Sequence, residues 1–245
     1  MGQQVKVDRL LQFQGIGNNR RNVRGNWNPE KIMCEWNFQE LALDTTNQYS
    51  VELDTTSTVA SGSGGALLTT AATNAKVCIL SCGGLYWYPE KNPVMEVKLQ
   101  LDVVTTVGLN VIWSDTSGAT FATGELPFGI SGTTISDTRL ADGAGFCFDT
   151  NQTTDQFYTV WDNNGTQSGA ILGAAYVPVA ATDITLRIAL DSSGNARYYY
   201  NGVEVYYQAL AVTVADPYAP LIGIRNNTAT AHVATVRYVR CWQDA

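Results

Sequence analysis

Residues 183–207, DITLRIALDSSGNARYYYNGVEVYY, constrain the fold most strongly. Ile184, Leu186, Ile188 and Leu190 alternate with Thr185, Arg187 and Ala189, the period-2 pattern of a strand with one buried face. Asp191-Ser192-Ser193-Gly194-Asn195 follows as a cluster of turn formers. A second run at 196–200 is separated from a third at 203–207 by Asn201-Gly202. Asn-Gly between two β-rich runs marks a two-residue hairpin, because a type I′ turn needs positive φ at both central residues. The stretch predicts three antiparallel strands joined by two tight turns.

The rest of the chain repeats this style. Strand-like runs occupy 32–43 and 48–54, with Asp44-Thr45-Thr46-Asn47 as the turn between them, and 76–81. In 94–104, Met95, Val97, Leu99, Leu101 and Val103 alternate with Glu96, Lys98, Gln100 and Asp102, which predicts a strand with one wet face. Further strands are expected at 107–115, 144–149, 156–162, 169–177, 219–225 and 231–242. The Ser/Thr/Gly/Ala-rich stretch 55–75 reads as a long loop, and 119–142 as loop with short strands near Phe121 and Phe128. About twelve short strands at roughly ten-residue spacing, with no helix, predict an antiparallel β-sandwich. A chain of 245 residues buries enough surface to need no disulfide staples. The organisation read from this is an extended basic N-terminal arm, 1–31, and one β-sandwich domain, 32–245. Within the domain, 32–93 adds strands and a loop to a core at 94–245.

Strand, D-x-x-G-x, strand, x-N-G-x, strand in 183–207 resembles the concanavalin A-like (laminin-G-like) jelly roll. GAGFCFDTNQTTDQFYTVWDNNG (143–165) and PYAPLIGIRNNTATAHVATVRYVRCWQD (217–244) resemble the matching segments of phage-encoded proteins of that fold. The resemblance spans about residues 94–244. It implies a jelly-roll β-sandwich and a phage virion structural protein, with a capsid decoration protein as the preferred form.

Charge adds to that expectation. Residues 1–31 hold six basic and two acidic residues, net +4, so the remaining 214 carry −11 of the chain's −7. A basic arm on an acidic body suits docking onto an assembly. Arg20, Arg21 and Arg24, with Trp27 nearby, are the candidate contacts, expected to meet other virion proteins such as the major capsid protein. The cluster is shorter than the basic stripes of nucleic-acid binders. Self-association, with a trimer as the guess, is expected. No apolar run reaches the ~18 residues of a membrane span, and MGQQVKVDRLLQ lacks a signal-peptide core. The expected setting is a virion assembled in a host cytoplasm.

The residues that could carry chemistry predict no enzyme. His232 is the only histidine, and no Gly-x-Ser-x-Gly elbow exists. Glucanases of the jelly-roll class use paired carboxylates in a Glu-x-Asp-x-x-Glu run. Here the nearest carboxylate face, Glu96-x-Lys98-x-Gln100-x-Asp102, is interrupted by Lys98. A glucanase is therefore the disfavoured reading. Five cysteines (Cys34, Cys78, Cys82, Cys147, Cys241) at irregular spacing read as buried small residues, not a disulfide or zinc framework. Calcium is the usual partner in the resembled domains, and Asp142, Asp149, Asp155 and Asp162 lie in or beside predicted loops. Asp is also a common turn residue, so no cofactor is assigned. The alternative function is recognition of host glycans through Trp87, Trp113 and Trp161, each beside a turn signal. Tyr198, Tyr199, Tyr200, Tyr206 and Tyr207 are divided by strand alternation between core and an exposed face.

Overall fold

A computed structural model describes residues 31–38, 43–45, 48–54, 56–62, 64–116, 125–137 and 140–245. The candidate arm contacts Arg20, Arg21, Arg24 and Trp27 lie outside the described residues, as does Phe121. Lys31, assigned above to the arm, instead opens the first strand.

All pairs between named strands are antiparallel, and they form two large sheets packed face to face and a separate two-stranded hairpin. The first sheet has the order β15 (Val203–Gln208), β14 (Ala196–Tyr200), β13 (Ile184–Leu190), β6 (Val94–Leu101), β17 (Val233–Asp244), β4 (Gly65–Thr69), β3 (Thr58–Gly62). β17 is long enough to hold two neighbours on one side. Its first half pairs with β4 and its second half with β1 (Lys31–Trp36). The second sheet has the order β12 (Thr166–Ile171), β11 (Tyr158–Asn163), β10 (Gly143–Asp149), β7 (Val107–Ser114), β16 (Ala219–Asn226), β5 (Val77–Cys82), β2 (Tyr49–Leu53).

The 183–207 stretch forms β13, β14 and β15. Asn201 and Gly202 both have positive φ, 48° and 84°, as a type I′ turn requires. β13 buries Ile184, Leu186, Ile188 and Leu190 and leaves Thr185, Arg187 and Ala189 half-buried on the other face. Tyr198 is wholly buried and its hydroxyl donates to the Val160 carbonyl at 3.1 Å.

The second sheet is buried on both faces at its centre. In β7, Val107, Leu109, Val111 and Trp113 join the core between the sheets, while Ile112 faces the other way into a second apolar cluster. A hairpin of β8 (Phe128–Ser131) and β9 (Thr134–Asp137) covers that cluster with Phe128, Ile130 and Ile135. Asn110 fixes the cover. Its side chain accepts from the Phe128 N–H at 2.7 Å and donates to the Phe128 carbonyl at 3.0 Å.

Two expectations change. Residues 55–75 are not a long loop, because they hold the β3–β4 hairpin. Small residues are what the site accepts. Gly65 has φ of 139° and any Cβ there meets the Val236 carbonyl of β17. The following segment is tied down by Asn226, whose amide donates to the carbonyls of Ala71, Thr73 and Thr230 and accepts from Lys76 N–H at 2.6 Å. The weak strand expected at 169–177 lies earlier, as β12, and Ala174–Tyr176 is a single 3-10 turn.

Candidate functional site

Where β17 runs past β4 to pair with β1, the sandwich opens into a groove of about 740 Å³. Strand alternation builds its first wall. Ile32, Cys34 and Trp36 share one face of β1, and Gln243 sits opposite Ile32 on β17. Gln48, Tyr49 and Ser50, at the start of β2, come from the second sheet. The turn after β5 closes the rim. Gly83 has φ of 77°, and a Cβ on Gly84 would stand 2.6 Å from the Tyr86 ring. The bare glycine therefore lets that ring lie across the backbone.

The lining combines rings with neutral polar groups. Tyr86 is 71% exposed at the rim. Trp87 is almost wholly buried, exchanges backbone hydrogen bonds with Tyr218 at 3.2 and 2.8 Å, and packs 5.9 Å from Trp113. Its remaining surface lines the groove. Gln243 Oε1 is buried without a donor among the described residues. Among the described residues, none of the eleven that line the groove is Asp, Glu, Lys, Arg or His. A pyranose ring presents an apolar C–H face and a rim of hydroxyls. Aromatic faces attract the first, and amides and hydroxyls exchange hydrogen bonds with the second.

Of the three tryptophans expected to meet a glycan, the groove receives Trp87 alone. Trp113 is corrected: it is fully buried in the core and its indole N–H donates to the Ile188 carbonyl at 3.3 Å. Trp161 is half-buried and stacks on Tyr206 across the two sheets, with centroids 5.9 Å apart and planes 18° apart. Trp36, Tyr49, Tyr86 and Gln243 were missed. The glycine pair 83–84 ahead of Leu85-Tyr86-Trp87-Tyr88 was the signal available for the rim.

Two of the carboxylates considered for calcium are held by protein donors. Asp149 is buried against Arg225 at 2.7 Å and also accepts from Asn227. Asp142 accepts from the Thr213 N–H at 2.8 Å and its hydroxyl at 2.9 Å. Among the described residues, no group of three or more His, Cys, Asp or Glu has metal-binding spacing. His232 is buried with Nε2 2.8 Å from the Thr106 hydroxyl. The sequence reading also overlooked a carboxylate pair. Asp115 follows β7, and its N–H donates to the carbonyl of Asp142, which precedes β10. Burial pushes the Asp115 carboxyl up from the usual carboxylate range, and the Asp142 charge adds to the shift.

No protein-family model and no curated protein matches this sequence. Solved structures do match. The Emp47p carbohydrate recognition domain superposes with a TM-score of 0.60 at 11% identity, over 90% of this chain and 100% of that one. The LamAcat structure from Zobellia galactanivorans gives 0.59 at 9% identity, over 85% and 96%. The Bacillus licheniformis β-glucanase gives 0.57 at 12% identity, over 85% and 96%. The fold is a concanavalin-like jelly roll. At such identities the likeness carries the fold alone. It still corrects the expectation that the chain is no enzyme. Glucanases share this jelly roll, and a missing Glu-x-Asp-x-x-Glu run tests one arrangement on one strand. Carboxylates brought together from two strands, as Asp115 and Asp142 are, escape that test.

Proposed function

We propose that this protein recognises a neutral glycan in the groove between β1, β2 and the turn at 83–87. The observation that carries the reading is the lining: Trp36, Tyr49, Tyr86 and Trp87 beside Gln48, Ser50 and Gln243, with no formally charged side chain among the described residues there. No described lining residue offers a charged partner, so the groove selects against charged ligands, whose desolvation these side chains leave uncompensated. The carbohydrate recognition domain and the glucanases among the structural neighbours support sugar chemistry on this fold. The virion role expected from the sequence has no support in those comparisons. It is retained only as a location in which a glycan-binding protein operates.

A glycan array holding neutral, sialylated, sulfated and uronate-bearing chains tests the reading. Binding confined to neutral chains is expected. An array without hits, or hits confined to anionic chains, overturns it. Glycosidase activity is the second reading, favoured by the Asp115–Asp142 pair, in which burial and the neighbouring Asp142 carboxylate raise the Asp115 carboxyl. Incubating the hits and assaying new reducing ends tests it. Hydrolysis lost in Asp115→Asn supports a role for the pair, and hydrolysis unchanged in that variant removes it.

A further inference from the structure

We infer that the outer face of the first sheet is an interface between two copies of this chain, related by a two-fold axis running along the strands between β13 and β6. The register places one row across six strands: Glu204, Tyr199, Arg187, Glu96, Arg240, Glu35. Rotation about that axis lays each half of the row on the other. Arg187 then meets Glu96 of the second copy, and Tyr199 meets Arg240 of the second copy. The rim brings Glu204 towards Glu35 of the second copy. These are already held within each chain by Arg197 at 3.1 Å and Arg240 at 3.2 Å. The next row obeys the same symmetry. Ala189 faces Val94, and Arg197 faces Trp242.

Three further observations favour a second copy as the occupant. Four of the five arginines among the described residues lie on this sheet, in a chain of net charge −7, so it is the face where self-repulsion is least. Arg187 is ordered by stacking 3.9 Å over the Tyr199 ring and makes no ion pair with a described residue. Its carboxylate partner is the one the symmetry delivers. Arg and Tyr are also the side chains enriched at protein interfaces. Six strands at ~4.8 Å spacing, five to eight residues long apart from the twelve of β17, give facing patches that total about 1,000 Å². That is the size at which a specific, reversible interface begins. Twisted sheets pack at roughly 30°, so contacts nearest the axis survive best, and Arg187 with Glu96 is the test pair.

Sedimentation velocity over a concentration series tests this independently of any glycan. The wild type is expected to form a salt-sensitive dimer. Arg187→Glu and Glu96→Arg are each expected to weaken it at least tenfold, because each sets like charges across both symmetric contacts. Mixing the two variants restores opposite charges at both contacts, so a heterodimer should appear that neither variant forms alone. A purely structural role for either residue predicts no such rescue. A monomeric wild type at all concentrations, a mass of three copies, or a mixture that stays monomeric overturns the proposal. If Glu96→Arg disturbs the Tyr238 hydroxyl bonded to it at 2.9 Å, Arg187→Ala carries the test, and an undiminished dimer there overturns it.

Discussion

Tyr86 is the most exposed ring in the groove, and burial explains why it is the residue to replace. Its truncation removes a contact face without opening a cavity in the core, whereas Trp87 is packed against Trp113. The sequence pointed to tryptophans beside turn signals and found one groove residue of three. Adjacency to a turn measures distance along the chain, and Trp113 shows how little that says about depth. It sits next to Ser114-Asp115 and is nonetheless at the centre of the core. Asp115 carries a prediction of its own. Its carboxyl is raised above the ordinary value of 3.8, with burial the main cause. A raised folded-state pKa favours the protonated form in the fold. The stability this group contributes is therefore full below the unfolded value and lost as pH rises through the folded one. Urea midpoints measured upward from about pH 3.5 should fall in the wild type relative to Asp115→Asn. Parallel curves for the two proteins would contradict the assignment.

Among the elements, apolar runs were legible as strands whether or not they alternate, and runs of small polar residues were not. β6 and β13 announce themselves because one face is wet. β7 is legible as a strand at 107–115, but its burial along the whole length is not described by the alternation of a single sheet face. The hairpin that covers it was visible only as a short strand near Phe128. β3 and β4 were hidden by their small residues, since composition reads Ser, Thr and Gly as loop whether or not a neighbouring strand pairs with them. The opening that forms the groove was also illegible, because it depends on β17 exchanging β4 for β1 along its length, a property of pairing and not of any one segment. Asn110 tests the account of the covered sheet. Asn110→Ala leaves the buried Phe128 N–H without its side-chain acceptor, while the Phe128 carbonyl keeps the Cys147 thiol as a donor at 3.6 Å. A loss of about 1–3 kcal/mol is expected from the unsatisfied group. Hydrogen exchange at 128–137 should rise with it. Unchanged exchange there would mean that the hairpin is held by its apolar contacts alone.

At the scale of the whole molecule, the two proposals use different surfaces. The groove lies between the sheets at one end of the sandwich, while the arginine–tyrosine row lies on the outside of the first sheet. A dimer formed through that row leaves both grooves open, so glycan affinity per site should not change when Arg187→Glu abolishes dimerisation, and avidity for a surface carrying many glycans should fall. The claim on which the functional reading stands is the groove. It is tested most directly by isothermal titration of the strongest neutral glycan from the array into the wild type and into Tyr86→Ala. Saturable binding to the wild type is expected, with affinity about tenfold weaker in the variant, or ~1.4 kcal/mol. Equal affinities in the two proteins would place the glycan elsewhere and contradict the account.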